Sequence, residues 1–269
     1  MKIIFIGAGN MANALIGGIL KRGIPSSNLH AIDPLANARV RLEKRYLVQT
    51  SETIDSTIVN YDVIIIAVKP QMIKIVSESL APWLSAQLII SVAAGIRAAD
   101  ISNWLNRYPR VVRAMPNTSA LIGIGVTGLT ALQGVGDADR YLAEQVFRMV
   151  GKIVWCEDES KMDAVTAISG SGPAYVFYFI AAMQRAACEL GLNDKQASDL
   201  VLTTFSGAAQ LATQSDESSG TLLERVVSES GTTIAALKSF EADSISAAIV
   251  RGVLAAHTQA IQIGATFRK

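Results

Sequence analysis

The sequence predicts a doubly wound α/β domain with a mainly parallel sheet, followed by an all-α domain. In the first half, short and continuous apolar segments alternate with segments of helical spacing. A glycine-rich turn directly follows the first apolar segment. After about residue 157 the strand-like segments stop and only helical patterns remain. Continuous apolar strands separated by helices are typical of a parallel sheet covered on both faces.

The elements of the first half follow one another in a regular order. The predicted strands are "KIIFIG", "LHAID", "DVIIIAV", "QLIISVAAG" and "RVVRAMPN", the last of which closes the series. The predicted helices between them are "NMANALIGGILKRG", "LANARVRLEKR", "KPQMIKIVSESL" and "RAADISNWLNR". Gly23 is placed to end the first of these helices.

The second half is predicted to be helical throughout. The segment "SKMDAVTAISGSGPAYVFYFIAAMQRAACELG" indicates a helix, a Gly-Pro interruption and a second helix that ends at Gly191. Ser160 and Asp163 have the spacing of a capping box and follow the polar segment "CEDES". We therefore predict domains at 1–157 and 158–269. Four more helical segments follow: "DKQASDLVLTTFSGAAQLATQ", "SGTLLERVVSE", "TTIAALKSFEA" and "SISAAIVRGVLAAHTQAIQIG".

Composition restricts the classes of function. The formal net charge is +1, which gives no electrostatic reason to expect nucleic acid or an acidic membrane surface as a partner. The longest apolar run, "AYVFYFIAAM", is shorter than the ~18 residues that a membrane span needs. Charged residues make up 17% of the chain, below the usual ~25%. Either ordinary surface is buried between subunits, or the core is simply rich in alanine.

Cysteine and histidine usage argues against a metal site and a secreted protein. Cys156 and Cys188 have neither metal-ligand nor CxxC spacing, and His30 and His257 lie in different halves. The chain opens on a strand and a Gly-rich turn, without a cleavable signal segment. We expect a reduced, cytoplasmic protein with no bound metal.

The strongest local motif is "GAGNMA", from Gly7 to Ala12. It has the pattern G-x-G-x-x-A between a strand and a helix, which is the fingerprint of a Rossmann-type dinucleotide site. Gly7 makes the tight turn, Gly9 lets the pyrophosphate approach the backbone, and Ala12 permits close helix–strand packing. The alternative is a Gly-rich turn without a ligand.

Other candidates follow the ends of later strands. Asp33 ends the second strand, where an acid usually accepts a hydrogen bond from the ribose 2′-OH of NAD, although an Asp-Pro turn explains it equally. Arg39 and Arg41 are close enough in sequence to compensate by contacting a phosphate. Lys69 in "AVKPQ" is a cofactor contact or a solvated lysine, and "MPN" (115–117) follows a strand that reaches the same edge.

The segment "SESGTTIAALKSFE" places hydroxyls and a glycine at a predicted helix start. Such side chains cap the free N–H groups of a first turn, or those N–H groups bind a carboxylate or phosphate.

In their order along the chain, "FIGAGNMANALIGG", "AVKPQ", "MPNT", "SGSGPAY" and "SGTTIAAL" resemble pyrroline-5-carboxylate reductase. The resemblance implies reduction of a cyclic imine to L-proline by NADPH or NADH, the last step of proline synthesis. It also implies that the helical domain forms a homodimer, often assembled into a ring of dimers.

The resemblance also assigns roles to individual residues. Thr233 would hydrogen-bond the ring nitrogen of the substrate as the catalytic position, and the loop would meet the cofactor of the partner subunit. The substrate loop would comprise Ser228, Ser230, Gly231, Thr232 and Thr233. The cofactor would be held by Ile6, Gly7, Ala8, Gly9, Asn10, Met11, Asp33, Ala67, Val68, Lys69, Pro70 and Asn117.

The chain departs from the family pattern at three places. Glu229-Ser230 replaces Pro-Gly, Ser218-Ser219 replaces His-Pro, and Asp33 stands where NADPH-using relatives often have a small hydroxyl residue. A β-hydroxyacid dehydrogenase is the first alternative, but the position of its catalytic lysine is Val176 here. A non-catalytic NADP-sensing protein is the second, although it has no need of the substrate loop.

Overall fold

A computed structural model of the chain describes residues 1–228 and 231–267. Their contacts divide them into two compact units, Met1–Ser171 with Ala255–Lys269, and Gly172–Leu254. The contacts of a single chain thus group the residues differently from the domains predicted at 1–157 and 158–269, and that boundary stays a prediction.

The first unit contains a sheet of eight strands within the described residues, in the order β3-β2-β1-β4-β5-β6-β7-β8. All neighbouring strands are parallel except β6 and β7, which are antiparallel. The mainly parallel sheet of the predicted fold class is confirmed. The strands are β1 (Ile3–Ile6), β2 (Leu29–Ile32), β3 (Gln49–Ser51), β4 (Val63–Ile66), β5 (Leu88–Ser91), β6 (Val111–Met115), β7 (Gly125–Ala131) and β8 (Gly151–Trp155).

Helices cover both faces of this sheet, so every residue of β1, β4 and β5 is buried. Two apolar clusters result, one on each face. Gly23, with φ of +92°, follows the end of the first helix as predicted. The helices of this unit are α1 (Asn10–Lys21), α2 (Ala36–Tyr46), α3 (Ile73–Leu80), α4 (Ala98–Trp104), α5 (Asp137–Arg148) and α6 (Lys161–Val165).

The order of the strands places a topological switch point at β1. The chain leaves β1 toward β2 on one side and returns to pair β4 on the other. Crevices outside the carboxyl ends of strands at such points bind ligands in open α/β sheets. The Gly-rich turn of residues 7–9 follows β1 at this position.

Four elements of the first unit were not predicted: β3, β7, α5 and β8. The segment of β7, "GVTGLTA", alternates small and polar residues and lacks a continuous apolar run. Gly128 is needed there because a Cβ would lie 2.6 Å from Cγ1 of Val165 on α6. Close helix packing therefore selects glycine where strand propensity disfavours it.

The capping box predicted at Ser160 is wrong. Ser160 has helical dihedral angles, and its hydroxyl bonds the Asp158 carboxylate at 2.5 Å instead of capping the helix. Asp163 and Glu159 pair with Arg113 of β6 at 3.2 and 3.3 Å. Arg113 is only 3% exposed, and a guanidinium so buried needs counter-charges.

The second unit is helical, as predicted, and has little core of its own. Of its described residues only Ala197 and Val201 are buried. The helical segment is interrupted by a π-helical turn at Thr166–Gly170, before the predicted Gly-Pro position, and Gly172 and Pro173 begin α7 instead. The helices are α7 (Gly172–Glu189), α8 (Asp194–Gln214), α9 (Ser219–Val226) and α10 (Thr232–Ala242), and α11 (Ile245–Thr266) starts here and ends in the first unit.

One helical segment of the described chain, Lys161–Glu189, is long and apolar enough to cross a membrane by length and composition. Only 6% of its most apolar stretch is buried in the single chain. Its sequence contains polar residues at intervals, so it has no uninterrupted apolar run of the length that a membrane span needs. An exposed apolar helix of this kind needs a covering surface.

Candidate active site

A cavity of about 870 Å³ opens at the carboxyl ends of β1, β2 and β4. Its walls are the Gly-rich turn, the residues that follow β2 and β3, the loop after β4, and one face of α3. A dinucleotide site is expected at this switch point, and the cavity lies within the 300–1,000 Å³ range of ligand pockets.

Different constraints favour glycine at the two glycine positions of the turn. Gly7 has φ of +105°, and a Cβ there would lie 2.7 Å from the Ala67 carbonyl oxygen, so the protein itself requires this glycine. Gly9 has ordinary dihedral angles (φ −72°, ψ −170°), and a Cβ there would meet no atom within 4 Å. Since the fold tolerates a side chain at Gly9, its absence leaves space at the helix start for a ligand.

The start of α1 has the properties of an anion-binding site. Gly9 is its N-cap, no side chain of the described residues caps it, and its first turn carries no acid. The N–H groups of that turn and the helix dipole therefore favour a phosphate at the cavity wall.

Asp33 directs its carboxylate toward the same turn. Its Oδ2 accepts a hydrogen bond from the Ala8 N–H at 2.7 Å, and its Oδ1 accepts one from the Leu35 N–H at 2.9 Å. The second bond is the turn contact expected of an Asp-Pro sequence, and the first links β2 to the Gly-rich turn. A carboxylate accepts about four hydrogen bonds, so it retains capacity for a ribose hydroxyl in the cavity it lines.

Two arginines of α2 lie behind and beside Asp33. Arg39 donates from Nη1 to the Asp33 carbonyl oxygen at 2.7 Å and pairs through Nη2 with the Glu52 carboxylate at 3.4 Å. Arg41 donates from Nη2 to the Ala8 carbonyl oxygen at 3.0 Å. Glu52 directly follows β3 and, with Arg41, lines the cavity.

The wall opposite Asp33 is formed by the loop after β4. Ala67 and Val68 are half-buried against the turn, whereas Lys69 is exposed and begins a 3₁₀ turn whose first residue is Pro70. Lys69 lines the cavity, so its ammonium is available to an anionic ligand.

Asn117 follows β6 and is 8% exposed. Its Oδ1 accepts a hydrogen bond from the Val126 N–H at 3.3 Å, which holds the side chain against β7. Close by along the chain, Met115 packs on the π-helical turn, where a Cβ at Gly170 would lie 2.5 Å from the methionine Cε. This contact joins the "MPN" and "SGSGPA" segments, and π-turns occur frequently at functional sites.

In the second unit, α10 begins at Gly231. Among the described residues no side chain caps this start, and the first turn contains no acid. Thr232 is exposed and Thr233 is half-buried at the first two helical positions, and Ser228 accepts a hydrogen bond from the Gly231 N–H through its carbonyl oxygen at 3.1 Å. The described hydroxyls therefore do not cap this helix, and N–H groups of its first turn remain for an anion.

The predicted site residues divide into three groups. Those that line the cavity are Ile6, Gly7, Ala8, Gly9, Asp33, Ala67, Val68 and Lys69. Those that lie in the first unit but outside its lining are Asn10, Met11, Pro70 and Asn117. Ser228, Gly231, Thr232 and Thr233 belong to the second unit, and Ser230, like Glu229, lies outside the described residues.

The cavity also includes residues that the sequence did not single out. They follow β2 or β3, or lie at the start of or on α3, and the adenosine half of a dinucleotide meets such elements in this fold. Their only sequence signal is position after a strand, and β3 was too short to be recognised. They include Leu35, Asn37, Glu52, Thr53, Ile54, Met72, Val76 and Ser79.

Comparison with known proteins agrees with the geometry. The family model described as "Pyrroline-5-carboxylate reductase dimerisation" matches residues 159–263, and the one described as "NADP oxidoreductase coenzyme F420-dependent" matches residues 2–95. A pyrroline-5-carboxylate reductase of Pseudomonas aeruginosa is 43% identical over 263 residues, which cover 97% of this chain and 96% of the relative.

Solved structures agree over the whole length. The chain is similar to a pyrroline-5-carboxylate reductase from Coxiella burnetii, with a TM-score of 0.89, 35% identity and coverage of 97% and 98% of the two chains. It is equally similar to the Plasmodium falciparum pyrroline carboxylate reductase with NADP bound, with a TM-score of 0.89, 30% identity and 98% coverage of both chains.

Proposed function

The chain belongs to the pyrroline-5-carboxylate reductase family, and we propose how its residues divide the work of that reaction. The enzyme reduces L-1-pyrroline-5-carboxylate to L-proline with a hydride from NADPH or NADH, in proline biosynthesis. The single observation that carries our assignment of the substrate site is the start of α10. Gly231 is the N-cap of this helix, which within the described part of the chain has neither a side-chain cap nor an acid in its first turn.

The cofactor site is proposed at the cavity of the first unit. The uncapped start of α1 would hold the pyrophosphate, Asp33 would face the adenosine ribose, and Lys69 would neutralise phosphate charge. When bound, NADPH or NADH supplies the hydride that adds to the imine carbon. The open space at Gly9 supports this placement because no described residue has an atom within 4 Å of a Cβ built there.

The remaining cofactor residues would contribute backbone groups, shape and one side-chain amide. Asn10 and Met11 would present first-turn N–H groups, and Ala67, Val68 and Pro70 would shape the opposite wall. Asn117, whose Oδ1 is already engaged by β7, would offer its amide NH₂ near the nicotinamide.

We propose that the substrate carboxylate binds the N–H groups at the start of α10, next to Gly231 and Thr232. The Thr233 hydroxyl would hydrogen-bond the ring nitrogen, which gains a proton as the carbon gains hydride. A threonine hydroxyl is too weak an acid to protonate an amine by itself, so Thr233 positions the ring and relays a proton from water. Ser228 would order the loop before the helix.

The helical domain makes the protein a homo-oligomer, and we propose a homodimer in which this loop faces the cofactor of the partner subunit. The second unit buries only two described residues, so a partner is needed to cover its apolar helices. Phe177 and Tyr178 of α7 are 64% and 75% exposed in the single chain. A partner surface also accounts for the apolar segment Lys161–Glu189 without a membrane. Assembly of dimers into a ring is a further part of the proposal.

The domain boundary and the location of the protein are proposed on separate grounds. The match to the dimerisation family begins at residue 159, which supports domains at 1–157 and 158–269. Cys156 and Cys188 are both free, which supports a reducing, cytoplasmic location.

Replacing Thr233 by valine tests the substrate site. Valine keeps the shape and removes the hydroxyl, so a transition-state hydrogen bond of about 1–3 kcal/mol predicts a loss of about 5- to 150-fold in kcat/KM. The control is Thr213→Val on the exposed end of α8, which reports the cost of valine in a helix of the same unit. Steady-state kinetics with pyrroline-5-carboxylate and thermal melting should be measured for both variants.

Near-wild-type turnover of Thr233→Val would remove the hydroxyl from the mechanism. The backbone N–H groups of α10 would then be the main substrate contacts. If Thr233→Val and Thr213→Val lost similar amounts of both activity and stability, a specific role for Thr233 would be contradicted.

A further inference from the structure

Charged side chains outside the Gly-rich turn gather where β2 and β3 end. Asp33 and Glu52 are the two carboxylates that line this part of the cavity, and Arg41 is its guanidinium. Arg39 is not among the lining residues and is 17% exposed, whereas Glu52 is 65% exposed. The carboxylates therefore face the cavity, and one of the two nearby arginines lies behind them.

Arg39 is held in that position by two acceptors. Its Nη1 donates to the Asp33 carbonyl oxygen at 2.7 Å, and its Nη2 pairs with Glu52 at 3.4 Å. An arginine near the end of the second strand is the group that accommodates the 2′-phosphate of NADP in this kind of fold. Here the arginine that could serve has its charge neutralised by Glu52.

Arg41 only partly offsets the two carboxylates. Its Nη2 donates to the Ala8 carbonyl oxygen, which directs the guanidinium toward the Gly-rich turn and the expected pyrophosphate. Asp33 is fixed by the N–H groups of Ala8 and Leu35 and cannot turn away without breaking both bonds. A 2′-phosphate would therefore meet a fixed carboxylate and the exposed Glu52.

We propose that Glu52 is a specificity-determining residue, which holds Arg39 behind Asp33 and makes the cavity select NADH over NADPH. This inference rests on the proposed cofactor site. It adds a residue outside the fingerprint that acts through Arg39 and through its own charge. The exposed ion pair itself contributes little stability. The selectivity comes from which charges can reach the 2′-position.

The test is a set of dissociation constants for NADH and NADPH, and for ADP-ribose and 2′-phospho-ADP-ribose, measured by calorimetry on the full-length oligomer. The wild type should bind NADH at least about tenfold more tightly than NADPH, which corresponds to one unfavourable charge contact. Glu52→Gln should reduce the NADPH:NADH ratio of dissociation constants by about 5- to 10-fold, and the two ADP-ribose fragments should follow the same pattern.

Substitution of Arg39 shows whether Glu52→Gln acts by releasing the Arg39 side chain or only by removing the negative charge of Glu52. In the Glu52→Gln background, Arg39→Ala should reverse the part of the gain that comes from the released arginine, about half of it or more, whereas in the wild-type background it should change the ratio by less than about twofold. Glu43→Gln is the matched control, because Glu43 is an exposed carboxylate of α2 outside the cavity lining. It should leave the ratio unchanged.

Equal or tighter binding of NADPH by the wild type would overturn the inference. An Arg39→Ala substitution that leaves the gain of Glu52→Gln intact would overturn the role given to Arg39. In both cases the cofactor site itself would stand. Failure of both cofactors and both fragments to bind would instead contradict the proposed site, and the inference with it.

Discussion

Replacing Gly9 by valine should abolish cofactor binding while the fold is retained. The backbone at Gly9 has φ of −72° and ψ of −170°, which valine adopts without strain. A Cβ there meets no atom of the described residues within 4 Å. The cost in stability is then the cost of valine at a helix N-cap, about 1 kcal/mol or roughly 3 °C in Tm for a chain of this size.

The loss of affinity should be far larger. The valine side chain would occupy the space through which the pyrophosphate approaches the start of α1. We expect dissociation constants for NADH and NADPH to rise at least about 100-fold, or ~2.7 kcal/mol. Fluorescence titration with both cofactors measures this effect directly and does not depend on the imine substrate.

Gly136 provides a matched control. It is the N-cap of α5, with φ of −81° and ψ of 176°, and a Cβ there also meets no atom within 4 Å. Gly136 lies outside the cavity lining, so Gly136→Val should lose the same stability and keep full affinity. If Gly9→Val bound both cofactors within about threefold of the wild type, the cavity would not be the dinucleotide site.

Two further predictions concern stability. Arg113→Met leaves the carboxylates of Glu159 and Asp163 without their counter-ion, so the free energy of unfolding should fall by about 3–5 kcal/mol, whereas Arg148→Met at an exposed pair should cost less than about 1 kcal/mol. Urea unfolding at fixed protein concentration compares the two, and similar losses would contradict the buried ion cluster. Burial lowers the pKa of His30, so the unfolded chain binds a proton more readily and stability should fall as pH decreases through about 6.5 and below. His30→Gln should lessen that fall in Tm, and an unchanged profile would show that His30 does not contribute to it.

The fold and the Gly-rich turn were predictable because their causes are local. Buried strands show continuous apolar runs, and the turn at Gly7 needs a positive φ that the sequence pattern reveals. β7 was missed because its residues are selected by packing against a neighbouring helix. Gly128, for example, leaves space for the side chain of Val165. The seven residues of β7 do not by themselves indicate where that helix lies.

The placement of the charges proposed to set cofactor selectivity was not predictable, because it also depends on elements distant in the sequence. Arg39 and Arg41 are two residues apart and look equivalent in the sequence, yet one faces Glu52 and the other the Gly-rich turn. Glu52 follows a strand of three residues, too short for period or propensity to identify. Only the pairing of β2 with β3 brings Glu52 beside α2.

A comparison of helix starts strengthens the case for the substrate site at α10. The starts of α8 and α9 are satisfied by the side chains of Asn193 and Ser218, and the first turn of α5 carries two aspartates. Among the described residues, α1 has neither a cap nor a first-turn acid, and its N-cap lines the cofactor cavity. Within the described residues α10 has the same two properties, as do α2 and α3, and it differs in this from α8 and α9, which precede it. An uncapped and uncharged start leaves several N–H groups and the positive end of the helix dipole for an anion, and the substrate of this family carries a carboxylate. In the proposed function the two helix starts would divide the anionic ligands between them, with the cofactor phosphates at Gly9 and the substrate carboxylate at Gly231.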